Sequence, residues 1–231
     1  LSLKRMWKND YFKTVIAIVL IVAIVLGFFF GLELALNTPY PMLTVESGSM
    51  SVPYGASDYN LWLTLTHPFD RTLSVGDIII VQGIDPKNLN TNYPNSDIIV
   101  FHDPMNPSEL IVHRIIGTEV VGNTTYFLTK GDGNGNPWPQ APPGPESSLD
   151  PWDRISSPRG VPQNMVVGKV IMRIPWFGWV TLLMRNNSWG LPAIIALIAL
   201  LVVIEFIVPI LREKKKTENQ NKTNQPSQMY L

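Results

Sequence analysis

Between Val15 and Leu32 the chain carries no charged side chain, and the stretch Val15–Leu26 carries no polar one either. About 20 apolar residues, wound at 1.5 Å each, cross a hydrocarbon core ~30 Å thick, and a helix apolar on every side has no stable place in water. A membrane-spanning helix over residues 15–36 is therefore expected. An export signal that is removed has a shorter apolar core, about 7–15 residues, followed by small residues at the cut. This run closes on Phe28-Phe29-Phe30 instead, which predicts an uncleaved anchor.

A second apolar run begins at Trp189, continues through Ile204 to Leu211 and is interrupted by Glu205. It has no polar stripe, so it reads as a second span over 189–211. Lys4, Arg5, Lys8 and Lys13 precede the first run, and Arg212 and Lys214–Lys216 follow the second. By the positive-inside rule both ends face the cytoplasm, and the intervening residues 37–188 face outward. Residues 1–14 are then a cytoplasmic N-terminus. The polar stretch 212–231 has too little apolar surface to fold alone and reads as a disordered cytoplasmic tail.

Formal charges balance, 18 basic against 18 acidic, and acidic side chains outnumber basic ones between 37 and 188. No nucleic-acid partner is expected from such a surface. The chain has no cysteine, which removes disulfides, thiolate nucleophiles, iron–sulfur clusters and cysteine zinc sites at once. The spacing of His67, His102 and His113 fits no helical or hairpin ligand pattern, so neither a metal nor a cofactor is expected.

Short β-rich runs bounded by turn residues fill the middle: Leu43–Val45, Asp77–Val81, Asp97–Phe101, Leu110–Gly117, Tyr126–Thr129 and Val166–Ile174. The pairs Gly76-Asp77, Asp85-Pro86, Asp103-Pro104 and Asn106-Pro107 punctuate them. The pattern predicts a mostly β, antiparallel domain with long loops. From Gly131 to Pro162 the density of proline and glycine argues against any strand or helix, and a loop of that length is usually functional.

Ser47-Gly48-Ser49-Met50 follows a short apolar strand, and a glycine between two serines lets the backbone turn sharply enough to expose a hydroxyl and an amide together. His67 and His102 read as loop or strand-end residues. In Ile111-Val112-His113-Arg114-Ile115-Ile116, strict alternation puts His113 on the same face as Ile111 and Ile115, the buried one. A half-buried imidazole needs a partner at each nitrogen, and a serine on one side with a carboxylate on the other activates a hydroxyl. Asp132, Asp150 and Asp153 are the carboxylates available to orient it.

In that order, Ser47-Gly48-Ser49-Met50 after an apolar span, Val112-His113-Arg114-Ile115 and Leu128-Thr129-Lys130-Gly131-Asp132 resemble the type I signal peptidases of the archaeal and eukaryotic endoplasmic-reticulum kind. The resemblance covers roughly residues 38–183 and includes a closing segment from Gly168 to Gly178. It implies a signal-peptidase-like antiparallel β domain flanked by two transmembrane helices, and a serine endopeptidase that cuts signal peptides from exported preproteins after small residues. It also implies a cell-membrane location with the active site on the extracytoplasmic face, secretory preproteins as substrates, and membrane lipid and the export translocon as neighbours. In the family the serine before methionine is the nucleophile, here Ser49, with Ser47 and Met50 on the oxyanion and substrate side. Where bacterial relatives have a lysine base this chain has His113. The family's Lys-Gly-Asp aspartate falls on Asp132, and its second aspartate, often followed by arginine, on Asp153-Arg154, which makes Asp153 the expected triad acid. Gly133–Trp152 lengthens the interval between the two, so Asp150 is a second candidate. A further departure is an inserted, partly apolar excursion from Tyr54 to Arg71. The alternative reading is a non-catalytic membrane-tethered β domain of the same fold, a scaffold or accessory subunit.

Overall fold

The structure is a computed structural model of the 231-residue chain. It describes residues 10–52, 72–138, 140, 150–155, 158–187, 189–193, 195–197, 200 and 204. Two units are distinguished, residues 1–179 and residues 180–231.

The first unit opens with helix α1, Asp10–Leu36. Within it the 22 residues Val15–Leu36 are long and apolar enough to cross a membrane, and their apolar side chains are exposed on all sides. At 1.5 Å per residue they span about 33 Å. Asn37, at φ +50°, ends the helix, and the Gly83 amide then donates to the carbonyl of Leu36 at 2.8 Å. A Cβ on Gly83 would lie 2.0 Å from the Asn37 carbonyl oxygen, so only glycine permits this approach. The last turn of α1 is thereby tied to the chain just after β2.

Among the described residues seven strands follow: β1 (Met42–Thr44), β2 (Ile78–Gln82), β3 (Ile98–His102), β4 (Leu110–Val121), β5 (Thr124–Lys130), β6 (Val161–Pro162) and β7 (Val166–Ile174). They form one sheet in the order β1-β2-β7-β3-β4-β5-β6, and all six pairings are antiparallel. The last of the described strands in chain order thus lies between β2 and β3.

Apolar alternation decides which face each residue takes. Ile79 and Val81 of β2 and Ile98 and Val100 of β3 join Val45, Met50 and Leu73 in one core cluster. Ile99 and Phe101 of β3, Ile115 of β4 and Phe127 of β5 join Leu89, Trp152 and Val161 in a second. The run Ile-Ile-Val-Phe in β3 feeds both clusters, as a central strand covered on both faces must. On β4, Ile111 and Ile115 pack on the second cluster, which puts His113 on that face and Arg114 on the other. A bulge between Ile115 and Gly117 shifts the β4–β5 register, leaving Ile115 opposite Thr129 and Arg114 opposite Lys130. Thr129 consequently shares the His113 face.

The six strands read from the sequence are present with ends displaced by a few residues or less at most boundaries. The stretch Gly131–Pro162 differs from expectation, because it holds the short helix α2, Pro151–Ile155, and strand β6. A proline in the first helical turn loses no hydrogen bond, since that N–H has no intrahelical acceptor. Trp152, buried in the second cluster, supplies the tertiary contact that composition alone does not show.

In the second unit, residues 190–193, 195–197, 200 and 204 are helical. The rest of the second apolar run, the 54–71 excursion, His67 and the tail lie outside the described residues. A short amphipathic helix, α3 (Trp179–Asn186), precedes the run and spans the boundary between the units.

Candidate active site

Ser49 sits in a single 3-10 turn, Gly48–Met50, shortly after β1. Met50 anchors the turn by burying its side chain in the first cluster, while its sulfur accepts the Asp132 amide at 3.4 Å. The chain leaving β5 lies flat against this turn: the Gly133 amide donates to the Ser49 carbonyl at 2.8 Å. A Cβ on Gly131 would meet that same carbonyl oxygen at 2.4 Å, and one on Gly133 would meet the Ser51 oxygen at 2.1 Å. The Gly-Asp-Gly spacing is therefore a steric requirement of seating the serine.

His113, buried on β4, lies with Nε2 3.1 Å from the Ser49 hydroxyl and Nδ1 2.6 Å from the Asp150 carboxylate. An ionised carboxylate only accepts, so Nδ1 carries the proton and Nε2 presents its lone pair to the serine, which donates. Ser47 Oγ is 3.2 Å from Ser49 Oγ, on the exposed side. Three residues far apart in sequence thus stand in line: carboxylate, imidazole, hydroxyl.

The carboxylate that meets His113 is Asp150, whereas Asp153, the expected triad acid, is placed elsewhere. Asp153 is turned toward β5, where its Oδ2 accepts the Thr129 amide at 3.0 Å. Among the described residues its buried Oδ1 has no hydrogen-bond partner. Burial pushes the Asp153 carboxyl up to about 7, and the nearby Asp150 charge adds to this while the Thr129 amide opposes it. The reason for the difference is local. Asp150 precedes the first turn of α2 and Asp153 follows one turn later, its amide bonded to the Asp150 carbonyl. Only the first of the two reaches the imidazole.

Asp132 is not on His113 either. Both of its oxygens accept from Arg114, at 2.7 Å from Nε and 2.7 Å from Nη2, on the opposite face of β4. The same guanidinium donates to the Ser96 carbonyl and lies 5.0 Å from the centre of the Trp138 ring. Asp132 therefore holds the chain that seats the serine without touching the imidazole. His102 is remote in role, its Nδ1 bonded to the Pro107 carbonyl.

A serine whose proton has an imidazole acceptor, backed by a buried carboxylate, is the constellation of a serine hydrolase. No family model matches the chain. Curated relatives do resemble it, and they are signal peptidase complex catalytic subunits: those of Metarhizium acridum, 26% identical over 176 residues, Pyricularia oryzae, 27% over 175, and Neurospora crassa, 27% over 175. Each match covers 76% of this chain and 81% of the relative. Over about three quarters of its length the chain is thus similar to catalytic subunits of the signal peptidase complex.

Proposed function

We propose that this chain is a membrane-anchored serine endopeptidase that removes N-terminal signal peptides from secretory preproteins, cutting after small residues. The observation that carries the reading is the hydrogen-bonded line Ser49–His113–Asp150. Ser49 attacks the scissile carbonyl, His113 takes its proton and returns it to the leaving amine, and Asp150 fixes the tautomer and stabilises the imidazolium. The Ser49 amide and the Ser47 hydroxyl receive the oxyanion, one such donor lowering the barrier by about 2.7–4 kcal/mol. Met50 holds the turn against the first cluster, and Asp132 supports it from the Arg114 side.

The topology is part of the proposal: residues 15–36 and 189–211 span the membrane, residues 37–188 form the catalytic domain on the extracytoplasmic face of the cell membrane, and residues 1–14 and 212–231 are cytoplasmic. The bond from Gly83 to the end of α1 supports a site held near the bilayer, where a substrate emerging from the translocon is still held in lipid by its own apolar segment. Protease added to right-side-out vesicles is expected to reach the 37–188 domain and to spare 212–231. Cleavage of the tail from outside would refute the topology. Asn123 lies exposed in the turn between β4 and β5 and begins an Asn-Thr-Thr sequon. A glycan is expected there or at Asn186, and not at Asn221.

A fluorophosphonate or another serine-directed reagent tests the reading as a whole. Labelling and cleavage of several unrelated preproteins are expected in the intact chain, and both should be lost in Ser49→Ala and His113→Ala. A chain that binds preproteins but neither labels nor cuts would be the non-catalytic alternative. With histidine as base, kcat/KM should fall on the acid side between roughly pH 5 and 8, because the imidazole must be neutral to take the serine proton. A flat profile through that range would count against His113 as base.

A further inference from the structure

Thr129 is fully buried on β5, and three groups of the Asp150–Asp153 segment converge on it. Its hydroxyl is 2.8 Å from Asp150 Oδ2 and 3.0 Å from the indole Nε1 of Trp152, and its amide donates to Asp153 Oδ2. An indole N–H is a donor only, so Trp152 commits the Thr129 oxygen to accept. The one hydroxyl proton is then left for Asp150. The oxygen it meets is the one that also faces His113 Nδ1.

We propose that Thr129 and Trp152 are positioning residues of the catalytic centre, an indole–hydroxyl relay that orients the Asp150 carboxylate and moderates its charge toward His113. The proposal rests on the serine peptidase reading given above. Asp150 belongs to a segment that reaches the sheet from residues outside the strands, whereas Thr129 is held in register opposite Ile115. The relay therefore docks the acid to a rigid strand. Trp152 is fixed in turn by its place in the second cluster, its ring 5.5 Å from Phe101 and 6.2 Å from His113.

The charge effect has a definite sign. A hydroxyl donating to the carboxylate draws off part of its negative charge, which weakens its hold on the imidazolium relative to the neutral ring. Without the hydroxyl the imidazolium is held more firmly, and the acid limb of kcat/KM moves to higher pH. Other charges act on the same centre. On β5, Lys130 is buried, and burial lowers its ammonium below the usual lysine range against the opposing pull of Asp132 and Asp150. On α2, Asp153 has been pushed up to about 7. Arg114 and Asp132 neutralise each other across the strand. Because Asp153 would titrate within the same window, the profiles belong in both the wild-type and the Asp153→Asn backgrounds.

The experiment uses the full chain in lipid vesicles with a fluorogenic signal-peptide substrate, with thermal unfolding of every variant measured alongside. Thr129→Val should lower the plateau of kcat by roughly tenfold, as a misdirected triad acid does. It should also raise the midpoint of the acid limb by about half a pH unit, a fraction of what a hydrogen bond to a charged group contributes. Thr129→Ser, which keeps the hydroxyl, should restore both. Trp152→Phe should move the limb the same way by less, and should add nothing in the Thr129→Val background. An unmoved limb in Thr129→Val, or an independent shift from Trp152→Phe on top of it, would overturn the relay. Should Thr129→Val not fold, Trp152→Phe decides alone, an unmoved limb again overturning it. Activity surviving in Ser49→Ala would instead overturn the peptidase reading and the relay with it.

Discussion

Asp150→Asn is expected to lower kcat by about 10⁴, the loss seen when a triad imidazole is left with the wrong tautomer, while Asp153→Asn keeps turnover within a few-fold of normal. An asparagine at 150 presents an amide where His113 needs an acceptor, so Nδ1 loses its reason to hold the proton and Nε2 no longer faces Ser49 as a base. At 153 the substitution has the opposite character. That carboxyl already favours its neutral form, so an amide replaces a group carrying little charge below pH 7. Its effect belongs to stability. A carboxyl whose pKa is higher folded than unfolded contributes stability that is complete below the unfolded value, near 4, and is lost as pH rises through about 7. Asp153→Asn should flatten that loss, and chemical denaturation between pH 5 and 8.5 with parallel activity assays measures both halves. Normal turnover in Asp150→Asn together with inactivity in Asp153→Asn would return the triad to the family-based assignment.

The second large effect is on stability. Arg114 and Asp132 are both buried, and each faces the other through two hydrogen bonds. Burial pushes the Asp132 carboxyl upward, and the Arg114 guanidinium opposes it. Removing one partner strands the other in a site that cannot hydrate it, a cost of about 3–5 kcal/mol. Arg114→Met and Asp132→Ala should each lose about that much in denaturant titration, and the double variant should lose far less than the sum. Additive losses would mean that the two are not coupled. Activity should fall in both single variants as well, because the Asp132 loop seats the Ser49 turn.

Much of this centre is legible in the sequence, for identifiable reasons. The period-2 pattern around His113 places its side chain on a defined face, and Ser49 is marked by the glycine beside it. The choice among three aspartates is not legible. Asp150 and Asp153 lie in a proline-rich stretch without periodicity, and which of them meets the imidazole depends on one turn of α2 and on Trp152 finding the second cluster. Thr129 escapes notice for a related reason. Inside a β-rich run, threonine reads as an ordinary strand former, and only the register set by the bulge between Ile115 and Gly117 turns it toward the acid. The Arg114–Asp132 pair is hidden in the same way, since alternation sends Arg114 to the face away from His113 but does not say what waits there.

The place of β7 bears on the order in which the sheet under the site is completed. Ser49 follows β1, which pairs with β2, while His113 and Thr129 belong to the ladder of β3, β4 and β5. Within the sheet those two groups meet only through β7, the last of the described strands in chain order, which bonds to β2 on one side and to β3 on the other. Until Val166–Ile174 has been made and inserted, no strand pairing joins the two groups, and the Ser49 turn is tied to the β5 side only through its bonds to the 131–133 chain. The pairing of β7 is therefore expected to complete the sheet beneath the site as a late event of folding. Amide exchange in β7 should gain protection at the same moment as the first turnover is detected.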